Sequence, residues 1–199
     1  ALNKNSFFDR FTGQLSLLSF SMPSFYLALL LVLVFSINFE ILPIAGLHSV
    51  LDDGSLNYYL DFAWHLILPI FIIVFGGIGS LVLYIRSLTI EILKSDYIFF
   101  ARSRGLNSKQ ILRYYILPNL YPPVITLLGL SLPGIIGGSV ILETIFSIDG
   151  MGLLFYQSAL SHDYPVIMGI LIIGAFLTLI GNMIADLVLL KLNPNYEEK

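Results

Sequence analysis

Six of the chain's ten basic residues, Arg86, Lys94, Arg102, Arg104, Lys109 and Arg113, fall within residues 86–118, between two long apolar tracts. Charges gathered in this way suit recognition of a protein partner or of lipid headgroups, not bond-making. Acid–base and metal chemistry need side chains that converge, and the sequence offers no such set. It has no HExxH, no GxSxG and no carboxylate pair at helical spacing. It has no GxxxxGK[ST] loop either, and so no cradle of that kind for ATP phosphates. Cysteine is absent, which removes CxxC motifs and leaves the redox compartment unreadable from thiols. His48, His65 and His162 are scattered, and no metal site is expected. No catalytic residue and no cofactor are expected, and the chain reads as a non-enzyme.

Two short helices must position the charges of residues 86–118. Ahead of Gly105, Leu88, Ile92 and Phe99 recur on one helical stripe, with Leu93, Tyr97 and Phe100 beside it. After it, Asn107-Ser-Lys-Gln110 predicts a helix N-cap with Gln at the third helical position. Ile111, Leu112, Tyr114 and Tyr115 then form a second short amphipathic face. The pattern predicts two helices meeting at a glycine beside a membrane, the shape a membrane subunit offers to a soluble partner. The plainer reading makes the bases topological anchors beside lipid headgroups.

The neighbours are membrane by composition. The chain is 57% hydrophobic and 12% charged, against about 25% charged residues in soluble domains. Four uncharged tracts are expected to cross the bilayer as helices, over residues 15–37, 62–85, 121–142 and 164–185. The first would span roughly 34 Å against a hydrocarbon core of roughly 30 Å. Pro23 lies near its first turns, where a missing N–H is tolerated. Pro118, Pro122 and Pro123 punctuate the approach to the third, and Pro133 is expected to kink or break it. Gly76, Gly77, Gly79 and Ser80, with Gly134 and Gly138, are small residues that let helices approach closely in lipid. The fold expected is all-α and integral to the membrane, a single transmembrane domain over residues 1–199.

Every Lys and Arg falls in the N-terminal tail, in residues 86–118 or in the C-terminal tail. None falls in residues 38–61, which hold Glu40, Asp52, Asp53 and Asp61, or in 143–163, which hold Glu143, Asp149 and Asp163. Four crossings put the basic zones on one side, which the positive-inside rule makes cytoplasmic, with both termini. The few bases, lying against a membrane, disfavour nucleic-acid binding.

Residues 86–118 resemble the cytoplasmic loop motif of ABC importer membrane (permease) subunits, in the dipeptide/oligopeptide/nickel branch. The broad motif is EAA, three residues, Gly, nine residues, then Ile-x-Leu-Pro, and Gly105 is followed in register by Tyr115, Leu117 and Pro118. The branch form, Asp-Tyr, three residues, Ala-Arg-x-Lys/Arg-Gly-Leu, is matched by Asp96, Tyr97, Ala101, Arg102, Arg104, Gly105 and Leu106. Phe99 and Phe100 stand where the broad family has Glu-Ala. Pro23-Ser-Phe25, Leu42-Pro-x-x-Gly46, Gly137-Gly138, Glu143, Phe146, Gly150, Gly152 and Asp163-Tyr-Pro165 are similar to other segments of the branch. So are Asn182, Asp186 and Asn193-Pro194, while Asp149 replaces a common Pro and His162 a common Arg.

The resemblance implies the last four helices of a six-crossing core, with a coupling-helix loop between the second and third of them. The first residue, Ala rather than Met, accords with a natural start further upstream. It further implies a bacterial-type inner membrane and ATP hydrolysis in separate ABC ATPase subunits. A second permease subunit, giving a heterodimer, and an extracytoplasmic solute-binding protein are the other implied partners. Peptides are the implied cargo, with nickel or other small solutes behind them. ATPase docking would fall to Asp96, Tyr97, Phe99, Phe100, Ala101, Arg102, Arg104, Gly105, Leu106 and Pro118. Gly137, Gly138 and Glu143 would border the translocation path, Glu143 meeting a peptide ammonium or serving as a loop or cap residue. Two other classes compete, an ion-coupled secondary transporter and a membrane scaffold that transports nothing. The first needs ionisable residues deep in its crossings, and these tracts hold no Asp, Glu, Lys or Arg.

Overall fold

The computed structural model describes residues 6–49 and 56–192. Within them every regular element is a helix. Helix α1 spans Phe7–Ser21, and α2 spans Ser24–Leu31 and continues in wider π-helical turns over Val32–Asn38. Helix α3 is Leu56–Leu93, α4 Asp96–Ser103 and α5 Ser108–Ile111. Through π-helical turns at Leu112–Ile116, α5 passes into α6, Leu117–Gly137. Helices α7 (Val140–Ile145), α8 (Met151–Leu160) and α9 (Tyr164–Leu192) complete the described chain. Lys4, Asp52 and Asp53, Asn193-Pro194 and the closing Glu197, Glu198 and Lys199 lie outside the described residues.

Three stretches are long and apolar enough to cross a bilayer: Tyr58–Leu93, Ser108–Gly134 and Tyr164–Leu192. A fourth exists only if Phe7–Ser21 and Ser24–Asn38 are taken together, and these are bent by 101°. The helix expected over residues 15–37 is thus broken. Pro23 sits at the break, in extended conformation (φ −59°, ψ 136°) as the residue preceding α2. A proline disfavours the helical conformation in the residue before it and supplies no N–H to the turn behind, so α1 ends at Ser21.

The third expected crossing is also redrawn. The helix starts at Ser108, carries Pro118, Pro122, Pro123 and Pro133, and stops at Gly137 rather than running to residue 142. Helices in lipid tolerate proline where side chains and wider turns satisfy the freed backbone groups. The π-helical turns lie immediately ahead of Pro118. Helix α3 exceeds its expected range at both ends, and α9 runs seven residues past residue 185.

The chain divides into two compact units. One comprises Gln14–Ser80 and Ile136–Leu171, with a core of Leu27, Ala28, Val32, Leu68, Ile72, Leu142 and Phe146. Within it the Ser19 hydroxyl donates to the Phe75 carbonyl, and a Cβ at Gly79 would collide with Ser19. The other comprises Ala1–Gly13, Leu81–Ile135 and Ile172–Lys199, with a core of Ile98, Ile111, Ile116 and Leu120. In it α6 and α9 approach closely, since a Cβ at Gly129 would lie 2.7 Å from the Gly181 carbonyl oxygen and 2.9 Å from Ala185 Cβ. Of the glycines expected to pack helices, Gly79 does so; Gly138 lies in the turn after α6 beside Glu143 and Gly152, and Gly76, Gly77 and Gly134 face nothing within 4 Å.

Large apolar side chains line the outside instead: Ile172, Phe176 and Leu179 on α9 are all more than 60% exposed. A contiguous apolar exterior of that kind is stable in hydrocarbon, not in water.

Replacing Gly129 by Val is expected to force α6 from α9 and cost about 1–3 kcal/mol. Gly134→Val, which meets open space, should change stability by less than about 0.5 kcal/mol. Thermal melting of the detergent-solubilised protein compares the two.

Candidate functional site

The basic stretch is built on a helix break that its composition hides. α3 stops at Leu93, and the chain turns at Lys94–Ser95, where the Ser95 N–H and hydroxyl both donate to the Ile92 carbonyl (3.1 and 2.6 Å). Ser95 then adopts extended backbone and α4 begins at Asp96, a carboxylate in a first turn, where the helix dipole favours it. The break resets the helical register, so the expected stripe of Leu88, Ile92 and Phe99 does not form. Ile98 and Ala101, 1% and 2% exposed, are the residues α4 buries. Of the two, Ile98 joins a cluster with Ile111, Ile116 and Leu120, against which Ile85, Leu88, Ile92 and Leu106 pack. The i, i+3 spacing of Ile98 and Ala101 was the available signal, outweighed by the larger rings beside them.

Those rings point away. Phe99 and Phe100 are 67% and 65% exposed and meet edge to face at 6.0 Å. Asp96, Arg102 and Arg104 are exposed as well. Tyr97 is half-turned inward, its ring stacked on Tyr115 at 6.2 Å.

Gly105 closes α4 as the pattern predicts. Its φ is +82°, and the Leu106 N–H reaches back to the Ala101 carbonyl (3.2 Å) while its own N–H reaches that of Arg102 (2.9 Å). This pair of bonds is the Schellman closure, in which the residue after the glycine packs on the helix just ended, as Leu106 does. Asn107 opens α5 with the predicted capping box: Asn107 Oδ1 accepts the Gln110 N–H (2.9 Å), and Gln110 Oε1 accepts that of Asn107 (2.9 Å). The second helix is not short, however, because α5 flows into α6. Pro118 is exposed on that continuous helix and marks no boundary.

Arg86, counted among the basic cluster, is engaged elsewhere. Its guanidinium donates from Nε and Nη2 to the two oxygens of Asp9 (3.3 and 3.2 Å), a carboxylate 9% exposed. The pairing joins α1 to α3 across a sequence separation that no local pattern signals.

The residues expected to border a path fall in the other unit. Gly137 ends α6, Gly138 has φ +57°, and Glu143 is 9% exposed on α7. The Glu143 carboxylate accepts the N–H groups of Ser139 (3.1 Å), Gly152 (3.3 Å) and Leu153 (2.5 Å). It therefore caps α8 from a preceding helix.

The histidines are less scattered than their spacing implies. His48 and His65 place Nδ1 3.7 and 3.4 Å from the carboxylate of Asp61, which also accepts the N–H and hydroxyl of Ser49 (2.6 and 2.7 Å). The His48 ring stacks on Tyr58 at 4.0 Å. Among the described residues, no three His, Cys, Asp or Glu side chains are grouped to hold a metal ion. His162 lies apart on the surface, against Tyr164.

Residues 1–198 match the model of the binding-protein-dependent transport system inner membrane component family. The oligopeptide transport system permease protein AppB of Bacillus subtilis is 37% identical over 182 residues, 92% of this chain and 57% of that protein. The oligopeptide transport system permease protein OppB of Haemophilus influenzae is 34% identical over 194 residues, 98% of this chain and 60% of that protein. The dipeptide transport system permease protein DppB of Lactococcus lactis is 33% identical over the same coverage. The chain spans less than two thirds of the length of these relatives.

A Cβ at Gly105 would meet nothing within 4 Å, so a substitution there costs backbone strain alone. Gly105→Ala should destabilise the α4–α5 turn by about 1–2 kcal/mol, and Gly105→Asn, which tolerates a left-handed backbone, by less. Hydrogen exchange at the Leu106 amide reads the order.

Proposed function

The chain belongs to the binding-protein-dependent transport system inner membrane component family, and we propose that it serves as a transmembrane subunit of an ATP-driven importer. In this reading it helps form the translocation path and docks an ATPase subunit through residues 86–118. Peptides are the leading cargo, by the names of the relatives; nickel and other small solutes stand behind them. A solute-binding protein outside the membrane would deliver the cargo, and a second, different permease subunit would complete the path. The chain itself would hydrolyse nothing. The basic zones would face the cytoplasm and residues 38–61 and 143–163 the exterior.

One observation carries the docking reading: Phe99 and Phe100 stand bare on α4, rimmed by Asp96, Arg102 and Arg104, while Ile98 anchors the same helix from behind. Aromatic and arginine side chains at the centre of a patch are what protein interfaces favour. A lipid-anchor role explains the arginines but not a helix closed by a glycine turn and seated through Ile98 on a packed cluster. Closure of the ATPase on nucleotide would push α4, and the packed cluster beneath it would pass that displacement to α3 and α6. The outward- and inward-open states would then exchange population according to how tightly each binds nucleotide.

The test is reconstitution in liposomes with the cognate ATPase, second permease and solute-binding protein. The importer reading expects cargo uptake that needs ATP; uptake without ATP favours an ion-coupled carrier, and no flux a scaffold. Gly105→Val should lower ATP-driven uptake about tenfold, equivalent to about 1.4 kcal/mol of coupling, while leaving membrane insertion intact. Charge reversal at Arg102 and Arg104 should weaken copurification with the ATPase at moderate salt. Unchanged binding would return both residues to a lipid-anchoring role.

A further inference from the structure

Glu143 is a buried acid held by its own backbone. One carboxylate oxygen accepts N–H groups from Ser139, the cap of α7, and from Gly152 in the first turn of α8; the other accepts from Leu153, also in that turn. The space is shaped for it. A Cβ at Gly150 would lie 2.6 and 2.7 Å from its two oxygens, one at Gly152 would lie 3.1 Å from Oε1, and one at Gly138 would collide with the carboxylate. Only a group that accepts on every side fits three converging N–H donors, and a negative charge at the start of α8 is favoured by the helix dipole. The Gly46 N–H donates to the carbonyl of Phe146 (2.7 Å), the residue that closes α7, so residues 42–46 are tied to the same body.

We propose that Glu143 is a positioning residue, whose carboxylate locks the starts of α7 and α8 together so that the two helices move as one rigid hairpin during transport. The hairpin rests on the bonds alone; its part in transport rests on the importer reading. An amide at this position would aim a donor at one of the N–H groups it must accept. A methyl group would leave all three unsatisfied.

Gly150 supplies an independent probe. Its backbone, φ −100° and ψ 174°, suits any residue, and the three atoms nearest a Cβ there all belong to the Glu143 carboxylate. Gly150→Ala should therefore lower the melting temperature in the native background and add nothing to Glu143→Ala.

The experiment uses the full-length permease assembled with its partner subunits. In Glu143→Gln, exchange of the Gly152 and Leu153 amides should accelerate about tenfold. Uptake per assembled complex should fall while ATP hydrolysis persists, a split that a mere loss of assembled protein would not produce. Native exchange rates in Glu143→Gln, or additive effects of Gly150→Ala and Glu143→Ala, would overturn the hairpin. Native uptake per complex alongside faster exchange would overturn its part in transport. An unaltered assembly that imports nothing would sink the importer reading instead, and the exchange and melting arms would still decide the hairpin.

Discussion

A helix end leaves backbone donors and acceptors without helical partners, and at several breaks among the described residues this chain satisfies them with its own groups. At Gly105 two reversed N–H bonds close α4, and at Asn107 a reciprocal pair opens α5. At Ser95 the hydroxyl turns back to the helix it leaves rather than to the one it precedes. At Gly150, α8 starts with no cap of its own and borrows the carboxylate of Glu143. Each device fixes the direction in which the next helix departs. The loop over residues 86–118 is consequently a defined bend, not a slack connection.

Close packing supplies the other half of the stability. Lipid tails compete with side chains for apolar contact, so helices gain most where their backbones approach. Gly129 and Gly181 permit this between α6 and α9, and Gly79 permits it where Ser19 meets the Phe75 carbonyl. Glycines with open space before them, such as Gly76 and Gly134, show that the residue type alone does not mark the contact.

Much of the site was legible because its signals are local. Gly105 and the Asn107–Gln110 box act within a few residues, and each was readable from spacing. The turn at Lys94–Ser95 was not, because helix-forming residues run across it without Gly or Pro. Prolines misled in both directions. Pro23 marks a 101° bend where a tolerated first-turn position was expected, while Pro133 sits inside an unbroken helix. The difference lies in what surrounds each proline, which sequence does not carry. The Asp9–Arg86 pair and the inward turn of Glu143 depend on chain segments brought together only by folding.

Phe99 and Phe100 face outward from α4, beside the exposed charges of Asp96, Arg102 and Arg104. If α4 docks a partner as proposed, a copy that has not met it would show these rings to the quality-control machinery, since chaperones and proteases bind bare aromatic surface. The feature that would seat a motor thus also makes an orphan subunit conspicuous, tying the lifetime of each copy to the completion of its assembly.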